Sequence, residues 1–171
     1  KDIAAAGTRL LLITDDAYFG LFYEEQIYRQ SLFARFCSLH ENVLAAKVDG
    51  STKEDLTWGF RTGFITFGSR GLGKDQYEAL VRKLMGALRS TISNSSILAQ
   101  NLIIRAMENP ERPREKEAAA QLLRSRYECV KQIVAGKKST ALQALPFNSG
   151  YFMSFLLKRG TAEDLRKKLL A

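Results

Sequence analysis

Apolar and polar positions alternate along this chain with two periods, and the changes of period mark its elements. Thr8 to Thr14 is a continuous apolar run rich in Leu and Ile, which predicts a strand buried on both faces, as in a parallel sheet. Asn42 to Val48 predicts a second apolar strand. Phe60 to Phe67 alternates Phe60, Thr62, Phe64 and Thr66 against Arg61, Gly63, Ile65 and Phe67, the two-residue period of a third strand. Between the first two strands, Ser31 to Leu39 suits a short helix, with Ser31 as N-cap and Leu32, Phe33, Phe36 and Leu39 on one face. Ahead of the first strand, residues 1 to 6 read as the end of a helix closed by Gly7.

The later part is helical. Asp75 to Ser90 places Tyr77, Leu80, Val81, Leu84 and Leu88 on one face, and Asp75 and Glu78 have the spacing of a capping box. Ser93-Asn94-Ser95-Ser96 caps a helix from about Ile97 to Glu108. After Pro110 and Pro113 a long helix is expected to about Ala135, with Ala119, Leu122, Leu123, Tyr127, Val130 and Val134 inward and Gly136 at its stop. Leu142 to Leu157 reads as strand interrupted at Pro146 to Gly150, and Thr161 with Asp164 caps a last helix. Strand, helix, strand and a tight return predict an α/β core in which one antiparallel strand joins parallel neighbours.

Composition narrows the class. With 171 residues, 46% hydrophobic and 26% charged, the chain has the makeup of a soluble globular protein. Its apolar runs are too short to span a membrane, so no membrane partner is expected. The net charge of +8 raises nucleic acid as a partner. The basic residues are spread, however, with short clusters at Arg112–Arg114, Lys137–Lys138 and Arg166–Lys168 and no interleaved aromatic stripe, so a solvated surface is expected instead. Cys37 and Cys129 have no pairing pattern, which suits a reduced cytoplasmic setting. His40 has no companion at metal-ligand spacing, so no metal is expected.

The candidate chemistry lies from Val48 to Gly63. Small turn-forming residues, Asp49-Gly50-Ser51-Thr52, end the second strand, Lys53 follows, and Arg61 stands between Gly59 and Gly63. The spacing Gly50, Lys53, Arg61, Gly63 resembles the active-site lysine signature of the class I/II aminotransferases, pyridoxal 5'-phosphate (PLP) enzymes of fold type I. Two positions depart from it: Ser51 and Thr57 stand where the family favours hydrophobic residues. Upstream, Thr14-Asp15-Asp16-Ala17-Tyr18-Phe19-Gly20 is similar to the family's strand-end motif, in which an aspartate and a tyrosine three residues on contact the cofactor ring. The order of the two motifs is also the family's.

The resemblance implies roles. Lys53 is the amine that condenses with the cofactor aldehyde and then serves as general base at the substrate α-carbon. Asp15 keeps the pyridine nitrogen protonated, so that the ring can act as an electron sink. Tyr18 donates a hydrogen bond to the ring's phenolic oxygen. Arg61 holds the phosphate with its planar fork. Asp16, Trp58 and His40 receive no role. The four named residues are expected to converge on one cleft at the C-terminal edge of the strands.

The resemblance also divides the chain: part of the PLP-binding large domain over 1–112, an interdomain helix over 113–136, and the start of the small α+β domain over 137–171. It covers only a middle-to-late part of the family's length, and the chain reads as a piece of a longer protein. The rest of the phosphate site, the ring stacked on the cofactor and the arginine for the substrate carboxylate are expected outside it. The expected activity of the parent is transfer of an amino group between an amino acid and a 2-oxo acid, in a homodimer. The segment from Ser93 corresponds to one the family places at the dimer interface. Alternatives on the same fold are a carbon–sulfur lyase or decarboxylase, or the aminotransferase-like effector domain of a transcription regulator.

Overall fold

The computed structural model describes residues 1–137 and 139–171, so Lys138 of the Lys137–Lys138 cluster lies outside the described residues. The chain divides into two compact units, Lys1–Gly20 with Tyr28–Pro113, and Leu21–Ile27 with Arg114–Ala171.

The first unit is built on a three-stranded mixed sheet. Helix α1 (Asp2–Ala5) ends at Gly7, whose φ of +93° suits glycine. Strand β1 (Leu10–Asp15) pairs in parallel with β2 (Val43–Gly50), from Leu10 opposite Val43 to Asp15 opposite Val48. Between them in sequence lies α2 (Phe33–Cys37). A one-turn helix α3 (Ser51–Glu54) and a 3₁₀ turn (Trp58–Phe60) then return the chain as β3 (Gly63–Gly68), antiparallel to β2 with Gly63 opposite Gly50. The order β1-β2-β3 is the predicted parallel pair with one antiparallel strand added. Helix α2 packs on all three strands. Val43 on the central strand is fully buried, which contributes roughly 1.5–3 kcal/mol.

The observed elements correct several expectations. Strand β1 is not covered on both faces: Leu11 is 57% and Ile13 63% exposed. It is an edge strand, and among the described residues nothing lies over that side. Helix α2 starts later than Ser31, whose Oγ accepts from the Phe33 N–H and donates to Asp16 Oδ2 at 2.5 Å. Phe60 to Thr62 is not strand, because Arg61 takes the left-handed conformation at φ +52°, which breaks the extended run. Helix α4 (Lys74–Thr91) is entered at Gly73, whose N–H donates to Gln76 Oε1 at 3.0 Å; the Asp75–Glu78 pair does not form the cap. The Tyr77 hydroxyl accepts from the Ser69 N–H and donates to its carbonyl, tying α4 to the end of β3. Helix α5 (Ile97–Glu108) begins as predicted, with Ser96 Oγ accepting from the Ala99 N–H.

The second unit contains most of α6 (Arg112–Gly136), the hairpin β4 (Leu142–Ala144) with β5 (Phe155–Leu157), and α7 (Ala162–Leu170). Pro113 sits in the first turn of α6, where its missing N–H costs nothing. Of the predicted inward residues of α6, Tyr127 is buried, whereas Leu122 and Val130 are exposed. Tyr127 stacks on Tyr23 at 4.6 Å and meets Phe147 edge-on at 5.2 Å. The Tyr23 N–H donates to the Asn148 carbonyl, the Gly150 N–H to Leu21, and the Tyr23 hydroxyl to Gly150. These bonds draw residues 21–27 into the second unit, although the division read from sequence kept them in 1–112. At α7 the predicted capping box forms: the Asp164 N–H donates to Thr161 Oγ1 and the Thr161 N–H to Asp164 Oδ2.

Candidate active site

The C-terminal end of β2 shapes the site. Gly50 lies against β3 so closely that a methyl group there would meet the Thr62 carbonyl oxygen at 2.8 Å. Directly after it, the Ser51 carbonyl accepts the Asp55 and Thr57 N–H groups and, at 3.0 Å, the Thr57 hydroxyl. Thr57 therefore closes the turn that carries Lys53, a job the aliphatic residue of the family signature could not do by side-chain hydrogen bonding. Arg112 pairs with Asp55 at 2.6 Å and fastens the end of the same turn. Leu56 at φ +57° and Arg61 at φ +52° then make two left-handed corners that bring the chain back to β2. Each such corner costs a non-glycine residue on the order of 1–2 kcal/mol.

The result is a cavity of about 260 Å³ whose lining includes Lys53, Arg61, Thr52, Thr62, Asp49 and Ala17. Lys53 is thus at the end of a one-turn helix rather than on an open loop as expected, half-buried, with its Nζ 5.6 Å from the centre of the Tyr18 ring. Arg61 is exposed on the same cavity. Asp15 ends β1 opposite Val48, and its Oδ1 accepts from the Ala17 N–H at 3.1 Å. It does not itself line the cavity, though Ala17, two residues on, does. Of the four sequence-predicted residues, Lys53 and Arg61 therefore line one cavity, Tyr18 stands beside the Lys53 amine without lining it, and Asp15 stands at the adjoining strand end.

Residues without a predicted role are explained locally. Asp16 accepts from Ser31, and His40 Nδ1 accepts from the Asn42 N–H. Trp58 is 72% exposed.

Three features were not read from the sequence. Ser51 is 2% exposed, and its Oγ has no hydrogen-bond partner among the described residues; the same holds for Thr14 Oγ1. A buried hydroxyl without a partner costs roughly 1–3 kcal/mol, and such groups collect at ligand sites. The departure from the signature at Ser51 was the signal for it. Thr52 and Thr62 are the hydroxyl-bearing residues of the cavity lining. Lys47 and Asp49, two residues apart on β2, form an ion pair, and Asp49 reaches the cavity. The Asp49 carboxylate is the main cause that raises the Lys47 pKa above its ordinary value, against an opposing effect of burial.

The fold and its sequence have relatives. The family model described as aminotransferase class I and II matches residues 1–171. An aminotransferase from Anaerococcus prevotii superposes with a TM-score of 0.74 at 23% identity, over 99% of this chain and 40% of that one. LysN, the α-aminoadipate aminotransferase from Thermus thermophilus, complexed with N-(5'-phosphopyridoxyl)-L-leucine, superposes with a TM-score of 0.73 at 22% identity, again over 99% of this chain and 40% of that one. No curated protein matches the sequence. The chain thus spans less than half the length of either solved relative. With the whole of its length matched, the chain belongs to the class I and II aminotransferases.

Proposed function

We propose that this chain is part of a PLP-dependent aminotransferase that moves an amino group between an amino acid and a 2-oxo acid. The observation that carries the reading is the meeting of Lys53 and Arg61 in one cavity, with the Tyr18 ring beside the Lys53 amine. The donor set suits a phosphorylated aldehyde: a guanidinium and hydroxyls for the anion, an amine for the carbonyl.

PLP, when bound, supplies an aldehyde that condenses with amines and a ring that accepts electron density from the α-carbon. Lys53 holds that aldehyde and moves the proton at the α-carbon. Asp15 accepts the hydrogen bond of the pyridinium N–H. Tyr18 donates to the ring's phenolic oxygen, and Arg61 binds phosphate oxygens, joined by hydroxyls of this turn. Partners of the longer protein complete the site, and a second copy forms a homodimer; the exposed start of α5, Ile97 and Leu98, supplies apolar surface for such a contact. A reduced cytoplasmic setting suits the free thiols of Cys37 and Cys129.

The test is amino-group transfer by the full-length protein, following glutamate formed from 2-oxoglutarate across a panel of amino acids. Transfer that Lys53→Ala abolishes is the expected result. Transfer that survives Lys53→Ala would remove the proposed role of the lysine.

A further inference from the structure

Lys53 sits between two anchors. On one side Gly50 ends β2 and pairs with Gly63, so the strand ladder holds it. On the other side Asp55 closes α3, its N–H donating to the Ser51 carbonyl at 3.0 Å. A helix of four residues is too short to hold itself, because nucleation costs more than one turn of bonds returns. The next residue adds strain: Leu56 takes φ +57°, a corner that disfavours any side chain. Contacts from elsewhere in the chain must therefore hold the far end of the turn.

Arg112 supplies such a contact from a position 57 residues away. Its Nη2 donates to Asp55 Oδ1 at 2.6 Å, and the two side chains are only 33% and 15% exposed. Arg112 is itself firmly placed. It opens α6, its N–H donates to the Asn109 carbonyl at 3.1 Å, and the Glu111 N–H donates to Asn109 Oδ1 at 3.0 Å. Pro113 follows with its fixed φ. All of these residues belong to the first unit, which runs to Pro113.

Resting on the reading of Lys53 as the reactive amine, we infer that Arg112 is a positioning residue for it: through Asp55 it holds the Lys53 turn in the shape that presents the amine to the cavity, and so favours uptake of PLP. Neither Arg112 nor Asp55 lines that cavity, so both act through the turn. A double-variant cycle isolates this pair from whatever else Asp55 touches.

The test uses the full-length protein as Arg112→Ala, Asp55→Ala, the double variant and Arg112→Lys, each matched to the wild type by circular dichroism. The first readout needs no cofactor. Hydrogen exchange over residues 51–57 reports the Asp55 and Thr57 amides that close the turn, and residues 43–48 of β2 are the control. Each single alanine variant is expected to quicken exchange over 51–57 by about 3- to 30-fold, between the worth of an exposed ion pair and that of a buried charged hydrogen bond, and to leave 43–48 unchanged. The second readout is the PLP concentration that half-labels Lys53 under borohydride. It is expected to rise in both single variants, by at least about 2-fold and at most by the same factor as the exchange, because the competent fraction falls with the turn. The double variant is expected to be no worse than the weaker single one, and Arg112→Lys, which keeps a cation, to lie between wild type and Arg112→Ala. If Asp55→Ala does not fold, Arg112→Ala and its recovery in Arg112→Lys decide the matter on both readouts.

The sign at Asp55 separates positioning from charge alone. Acting only through space, the loss of this carboxylate would tighten binding of the anionic cofactor, whereas loss of the tie weakens it. Half-labelling that moves in opposite directions in the two single variants, additive losses in the double variant, or wild-type exchange over 51–57 overturns the inference. Label on Lys53 at wild-type PLP concentrations in both single variants also overturns it and leaves the cofactor reading standing. Faster exchange over 51–57 with no label on Lys53 in any of the proteins sinks the cofactor reading and leaves Arg112 as the residue that holds the turn.

Discussion

Gly50→Ala perturbs the junction between sheet and site with a single methyl group. The glycine's φ of 179° is extended backbone open to any residue, so no conformational strain is involved. The obstacle is space: the new Cβ would lie 2.8 Å from the Thr62 carbonyl oxygen and 3.2 Å from Gly63 Cα, both backbone atoms of the facing segment. Backbone cannot swing aside as a long side chain can, so β2 and β3 must part where they pair at Gly50 and Gly63. Overpacking of this kind costs about 1–3 kcal/mol. Against it, replacing glycine by alanine stiffens the unfolded chain and returns about 0.4–1 kcal/mol. The steric effect wins, leaving a net loss of about 0.5–2 kcal/mol. With a urea slope of about 2 kcal/mol/M, the midpoint falls by about 0.3–1 M. Gly59→Ala is the control: open space surrounds it, and the same assay should show a midpoint equal to or slightly above the wild type. A Gly50→Ala midpoint as high as that of Gly59→Ala would refute the argument that close strand approach demands this glycine.

Three further outcomes are expected. Tyr127→Phe removes a hydroxyl that bonds the Phe147 carbonyl at 3.1 Å and the Glu24 carboxylate, and should lower unfolding free energy by roughly 1–3 kcal/mol in urea titration without disturbing the ring stack. The Glu24 carboxyl is held below its ordinary pKa, first by the Lys131 ammonium and then by the Tyr127 hydroxyl. A depressed carboxyl stabilises the fold above its unfolded pKa and loses that contribution as pH falls through the folded one, so thermal midpoints should drop on acidification below about pH 5, and less steeply in Glu24→Gln. Arg61→Ala removes the guanidinium fork proposed for the phosphate, and should weaken PLP binding by the full-length protein about 10- to 150-fold in equilibrium titration, the equivalent of roughly 1.5–3 kcal/mol.

The sheet was legible because its signals are local. The apolar runs ending at Thr14 and Val48 announce two parallel strands, and Thr161 with Asp164 announces a capped helix, since each depends on residues a few positions apart. What escaped depends on distant partners. The end of β2 looked like a loop because nothing in Ser51-Thr52-Lys53-Glu54 says that the Ser51 carbonyl will collect Asp55 and Thr57. Arg61 was placed in a strand because a left-handed arginine has no sequence signature. The edge position of β1 could not be read from Leu11 and Ile13, whose hydrophobicity asks for a cover that the described residues do not provide. The attachment of residues 21–27 to α6 rests on a Tyr23–Tyr127 stack between positions far apart in sequence. In the site, the motifs named the chemistry of Asp15, Tyr18, Lys53 and Arg61, whereas the Lys47–Asp49 pair became visible only as two side chains meeting.

The central claim is that Lys53 is the amine that takes the cofactor's aldehyde. The most direct measurement is to incubate the purified chain with PLP, reduce with borohydride, digest, and map the labelled peptides by mass spectrometry. The account predicts that Lys53 carries the label at lower PLP concentration than any other lysine, including Lys47, and that Arg61→Ala raises the concentration required. Label spread over the exposed lysines with Lys53 unmodified would contradict it.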